Sequence, residues 1–164
     1  MILYLVRHGI AVDPTDPKSP PEPERPLTAK GVQKTRAAAL GLRSLSVKPD
    51  VLITSPFVRA AQTAEIFAEA LEFAPEKIRA SESLKPGSNP AEMIREISKL
   101  RAKEVMCFGH APHLDQMLYQ LVEARGVFTS LKKGGVACLD RASAQGRWEL
   151  RWLVTPKILR QLAP

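Results

Sequence analysis

Five consecutive apolar residues, Ile2 to Val6, run directly into Arg7, His8 and Gly9. A short apolar run that is β-branched or aromatic at Ile2, Tyr4 and Val6 has the pattern of a strand buried on both faces, as in a parallel sheet covered by helices. Two further runs repeat it: Val51 to Thr54 ends at Ser55 and Pro56, and Glu104 to Gly109 ends at His110. Gly9 lets the backbone turn sharply after His8 and leaves room for a ligand. The rim formed by the carboxyl ends of the strands is where open α/β sheets bind their ligands.

The segments between these strands complete a three-layer α/β/α sandwich. Asp13 to Pro26 holds six prolines, which fix φ and remove amide donors, so it reads as a loop walling the rim. Thr28 is a plausible N-cap for a helix reaching Leu45, with Val32, Ala39, Leu42 and Leu45 at helical spacing. Gly31 and Gly41 weaken that helix a little. Pro56, at the favoured first helical position, starts a helix over Phe57 to Leu71. A short strand is predicted at Ile78 to Ala80, a helix from Pro90 to about Arg101, and another opening at Ala111 to Leu114 and running to about Ala124. Gly135 to Asp140 and Trp148 to Thr155, joined through Ser143 to Gly146, read as a hairpin that adds an antiparallel edge to a mostly parallel central sheet. Pro156 to Leu162 reads as a final helix. At 164 residues the chain is expected to form a single domain, 1–164.

Composition removes several classes of function. The Met1 to Val6 run is too short to span a bilayer and has no basic region before it, so no membrane association is expected, and a cytoplasmic location follows. The net charge of +7 raises the question of nucleic acid, but the basic residues are spread over several helices and aromatics are only 5%. Nucleic-acid readers instead interleave aromatics with basic strands. Cys107 and Cys138 lie singly inside strand-like runs, which suits buried thiols. His110 and His113 form an HxxH pair, yet with three histidines in all and no flanking carboxylates at a ligand spacing, no metal is expected. His113 is expected to support the loop or the helix start and Asp115 to complement the helix dipole from its first turn, with Lys132 and Lys133 in a surface turn.

Right-handed crossovers bring the strand ends to one rim, so Arg7, His8, Arg59 and His110 converge there from three connections. Arg59 and Thr63 share a face at a helix start, where free amides favour an anion. Two cationic forks and two imidazoles are held together most simply by a dianion such as phosphate. Arg25 either reaches this rim or stays solvated.

Arg7-His8-Gly9, the segment Pro26-Leu27-Thr28-Ala29-Lys30-Gly31, the segment from Ser55 to Thr63 (SPFVRAAQT) and Gly109-His110 resemble, in that order, the histidine phosphatase superfamily. The small size and the RPLT, SPFxRAxQT and GHxPHL forms are most similar to its SixA-type phosphohistidine phosphatase branch. The resemblance implies a phosphoglycerate mutase-like fold and a hydrolase with no metal or other cofactor. It also implies His8 as nucleophile, Arg7 and Arg59 on the phosphoryl oxygens and His110 as a further donor, with Arg25 a substrate-binding candidate. The expected partner is a protein phosphorylated on histidine, such as a histidine-containing phosphotransfer domain; a small phosphate ester or a non-catalytic phosphate-binding role are the alternatives. Larger members place a carboxylate over the leaving group. The candidates here are Asp13, Glu24 and Glu82, none in a matched motif, and the low pKa of an imidazole leaving group, roughly 6.5, makes an acid less necessary.

Overall fold

The computed structural model describes residues 1–126, 128–143 and 146–164. Six strands form one sheet: β1 (Ile2–Arg7), β2 (Val51–Thr54), β3 (Arg79–Ala80), β4 (Glu104–Gly109), β5 (Val136–Asp140) and β6 (Glu149–Val154), in the order β3-β2-β4-β1-β5-β6. The first four are mutually parallel, and β5 and β6 are antiparallel at one edge. The expected architecture is therefore present. Of the connection expected at Ser143 to Gly146, residues 144 and 145 lie outside the described residues.

Side chains on the central strands alternate between two cores, as the period-2 geometry of a strand requires. Tyr4, Val6, Met106 and Phe108 face one core, covered by α1 (Ala29–Arg43), α2 (Val58–Ala70) and a third, C-terminal helix. Leu3, Leu5, Val105 and Cys107 face the other, covered by α3 (Pro90–Ser98) and α4 (His113–Leu121). The C-terminal helix is α5 (Pro156–Gln161). On the first face Phe67 and Phe108 are fully buried, edge to face at 5.5 Å between ring centres. Such a pair adds about 0.5–1.5 kcal/mol beyond the area it buries. Among the described residues no helix is long and apolar enough to cross a membrane.

Helix ends depart from expectation where capping chemistry decides them. Thr28 caps α1 as predicted, its hydroxyl accepting from the Gly31 amide at 2.9 Å. Pro56, however, does not open α2: Phe57 is the cap, and the helix begins at Val58. Pro56 instead lies in the turn that delivers Ser55 to the rim. The helices α3 and α4 end at Ser98 and Leu121, three residues short of their predicted ends in each case.

Gly41 carries more than a weakened helix. A Cβ there would lie 1.7 Å from the Leu159 carbonyl oxygen, so the bare α-carbon is what lets α5 lie against α1. Gly41→Ala gains up to about 1 kcal/mol of helix propensity, but it forces two backbones apart where no side chain can swing aside. Overpacking of this kind costs about 1–3 kcal/mol, and more where backbone must shift. Gly41→Ala is expected to lower Tm by about 4–8 °C in a thermal melt. An unchanged or raised Tm would contradict the close approach of the two helices.

Candidate active site

Sheet register assembles the site. Arg7 on β1 stands opposite Gly109 on β4, and the pairing continues one step further, with the His8 amide donating to the Gly109 carbonyl at 3.0 Å. His8 and His110 therefore leave adjacent strands at the same level, with ring centres 5.1 Å apart. On the other side of β4 the Ser55 amide donates to the Phe108 carbonyl at 2.9 Å. That contact brings Ser55 Oγ within 2.9 Å of His110 Nε2. The ring is held by this contact and by the edge of Phe57, 5.3 Å away; its Nδ1 is buried with no partner among the described residues.

His8 is 6% exposed, and its Nδ1 lies 2.7 Å from the Gly9 carbonyl oxygen. A carbonyl oxygen only accepts, so Nδ1 carries the proton and Nε2 keeps its lone pair. Arg59 Nε–H donates to that lone pair at 3.3 Å. Burial is the main force holding His8 neutral, and the charges of Arg59, Arg7 and Lys133 act in the same direction, outweighing the Gly9 bond; together they push its pKa down to about 4. The imidazole should thus titrate near pH 4 by NMR, and a midpoint near 6.5 would contradict this environment. Since an unfolded histidine titrates near 6.5, the unfolded state holds more protons between about 4 and 6.5. His8 therefore makes the fold less stable as the pH falls through that window.

Arg59 comes from the first turn of α2 and is 3% exposed. Thr63 does not point at a ligand: its hydroxyl donates to the Arg59 carbonyl at 2.7 Å and accepts from the Gly9 amide at 3.0 Å, tying α2 to the turn after His8. Arg7 Nη1 donates to the Leu131 carbonyl at 2.8 Å, while its buried Nε has no partner among the described residues. Asp115 does lie in the first turn of α4, where a carboxylate complements the helix dipole. It is buried and accepts from the Leu131 amide at 2.8 Å, bracing the segment that holds Arg7. His113 is buried too, with both ring nitrogens unpartnered among the described residues and its pKa lowered by burial.

The proline-rich segment does wall the site. The Val12 amide donates to the Pro26 carbonyl and the Thr28 amide to the Ile10 carbonyl, both at 2.9 Å, closing its base. A 3₁₀ turn at Glu22–Glu24 then leans over the rim. Its Glu22 carboxylate, unnoticed in the sequence, meets Arg59 Nη2 at 2.7 Å, and its carbonyl accepts from Arg59 Nη1 at 2.8 Å. Arg25 reaches the rim rather than staying solvated: it lines the cleft and grips the same carboxylate through Nε at 2.6 Å and Nη2 at 2.9 Å. The hydrogen bond from Arg25 and the charges of Arg59 and Arg25 hold the Glu22 carboxyl below the usual range. The resulting cleft, about 270 Å³, is lined by Arg7, His8, Arg59 and His110 together with Glu22 and Arg25.

Asp13, Glu24 and Glu82 do not line this cleft. Asp13 accepts from the Thr15 amide and hydroxyl in a local turn, and Glu82 pairs with Lys85. Lys133 does line it, although it lies in the surface turn expected from the sequence. Both cysteines are buried, and burial raises both thiol pKa values, Cys138 to about 12, so neither supplies a thiolate. Among the described residues no group of three or more His, Cys, Asp or Glu side chains is placed to hold a metal ion.

A mixed sheet of this order, with two buried histidines, the buried Arg59 and the half-buried Arg7 gathered at the carboxyl ends of its parallel strands, is that of a phosphatase of the α/β class. It belongs to the histidine phosphatase superfamily: the family model for branch 1 of that superfamily matches residues 3–86. An uncharacterized protein of Picosynechococcus sp. is 33% identical over 97% of this chain and 99% of its own length. Among solved structures, the protein histidine phosphatase SixA complexed with tungstate superposes with a TM-score of 0.86 at 23% identity, covering 97% of this chain and 99% of that one. The alpha-ribazole phosphatase from Shigella flexneri gives 0.74 at 16% identity, covering 95% and 97%. At these identities the likeness is one of fold.

Proposed function

We propose that the protein is a phosphohistidine phosphatase acting on phosphorylated proteins through His8, without a metal ion. The observation that carries the reading is the state of Glu22. It is the one carboxylate lining the cleft among the described residues, and Arg25 and Arg59 hold it ionised, so it is an anion rather than a proton donor at neutral pH. An alkoxide leaving group needs a proton in the transition state; an imidazole, with a pKa of roughly 6.5, needs much less help.

In this mechanism the Nε2 lone pair of His8 forms a bond to phosphorus as the substrate's P–N bond breaks, and the departing imidazole takes its proton from solvent. Water then attacks phosphorus, the bond to His8 breaks, and phosphate leaves with the water's proton released. The Gly9 carbonyl supports the charge that develops on the ring through Nδ1–H. Arg7 and Arg59 bind the phosphoryl oxygens, and His110 donates through Nδ1–H with Ser55 donating to its Nε2. Positioning and electrostatics supply most of the catalysis of such a loose transition state. Hydrolysis of a phosphohistidine-bearing protein, beside para-nitrophenyl phosphate and alkyl phosphates with EDTA present, tests the reading. Strong preference for the phosphoramidate supports it, and preference for an alkyl ester refutes it.

Glu22 occupies the clamp that the phosphoryl group must enter. Glu22→Gln keeps the shape and removes the competing charge, so inorganic phosphate is expected to inhibit the variant about 3- to 10-fold more tightly, from the size of a partly exposed charge pair, about 1 kcal/mol. Inhibition constants measured side by side check this; weaker inhibition of the variant would show that Glu22 does not compete.

A further inference from the structure

We propose that a basic cleft beside the active site, walled by Lys34, Lys132, Lys133, Lys157 and Arg160, docks the acidic surface around the phosphorylated histidine of a protein substrate. The inference rests on the phosphoprotein reading above and adds to it the surface that recognises the protein.

The cleft, about 380 Å³, is larger than the one holding His8, and its floor includes Gly9 and Ile10, the residues directly after that histidine. Lys133 lines both cavities, so the two adjoin at this residue. The cations come from three places fixed to the catalytic strand. The turn carrying Lys132 and Lys133 is pinned by the Gly134 amide, which donates to the Arg7 and His8 carbonyls at 2.9 and 3.1 Å. Lys34 is on α1, and Lys157 and Arg160 are on α5, which lies against α1 at Gly41.

No carboxylate lines this cleft, and none of its five cations takes part in an ion pair among the described residues. Other surface cations do have carboxylate partners, as Arg36 with Glu69, Arg43 with Glu72 and Arg151 with Asp140. Five like charges lining one cleft gain from a polyanionic ligand, whose field is screened by salt only beyond a Debye length of about 8 Å at physiological ionic strength. Four of the five are lysines. Point charges on flexible stems suit carboxylates at variable positions, and the cleft lacks the paired arginine forks with which the catalytic cleft meets a phosphoryl group. An acidic protein surface is therefore the occupant, steered to the site by the same charges.

The test compares the wild type with Lys34→Glu/Lys157→Glu/Arg160→Glu, using a phosphohistidine-bearing protein with an acidic surface and, as a small substrate, phosphoimidazole. The expected result is a KM for the phosphoprotein raised at least tenfold and less dependent on salt, with phosphoimidazole turnover within twofold of wild type. A phosphoprotein KM unchanged by the substitutions overturns the proposal. If the triple variant does not fold, Lys157→Gln/Arg160→Gln serves, with an expected rise of at least threefold. Binding of a fluorescein-labelled octaglutamate peptide is measured on the same proteins beside tripolyphosphate. Peptide binding lost in the variant supports the cleft even if no phosphohistidine substrate is turned over, a result that would remove only the proposed activity. Peptide binding that survives the substitutions, or tripolyphosphate binding there while the peptide does not, overturns it.

Discussion

His8→Ala is expected to reduce kcat on a phosphohistidine substrate by at least about 10³-fold, the scale for losing a covalent nucleophile, while the variant still melts cooperatively within a few degrees of wild type. The large effect follows from geometry. Nε2 keeps its lone pair at the cleft once Nδ1 donates to the Gly9 carbonyl, with only the long 3.3 Å contact from Arg59 Nε–H to give up to phosphorus, and His110 is committed through Nε2 to Ser55 at 2.9 Å. The small stability effect follows because His8 is buried beside Arg7 and Arg59, which disfavour its charged form, so its removal relieves as well as costs. Near-normal turnover in His8→Ala would refute nucleophilic catalysis by this residue.

Arg59→Met is expected to lower kcat/KM by about 10²- to 10³-fold, as losing one preformed oxyanion donor does, and to move the acidic limb of the pH profile upward. The second effect distinguishes an electrostatic role from a merely structural one. Activity requires neutral His8, so in the wild type kcat/KM should fall tenfold per pH unit below about 4 and be level above it on this group's account. Burial is the main cause of that low pKa and Arg59 is the largest of the charges that add to it. Without Arg59 the imidazole accepts its proton at higher pH, and the limb shifts toward 6.5. Arg59→Lys should rescue little of the rate, because the planar fork that reaches His8 Nε2 and Glu22 together is lost. A pH profile that does not move would separate Arg59 from the titration of His8.

Some residues were legible from the chain because their chemistry is local. Thr28 reads as a cap from its position before a periodic segment, and its hydroxyl does cap α1. Glu22 was invisible for the opposite reason: in sequence it is one carboxylate in a run of prolines. Its meaning depends on a 3₁₀ turn that places it over Arg59, 37 positions away. Arg25 is undecidable on the same ground, since its place in the cleft comes with its grip on Glu22. The cleft built from Lys34, Lys132, Lys133, Lys157 and Arg160 has no sequence signature, because its residues lie on separate elements joined only by packing.

By itself the chain determined its layered α/β architecture and the convergence of Arg7, His8, Arg59 and His110. Short apolar runs rich in β-branched and aromatic residues that end in polar or charged groups read as buried strands with a polar rim, and right-handed crossovers bring such rims together. Tertiary structure alone decided the state of those groups. Register brings His8 level with His110, burial keeps both imidazoles neutral, and Glu22 holds the arginine clamp. Proton affinities and ion pairs depend on distance and solvent exposure, quantities that exist only once the chain has packed.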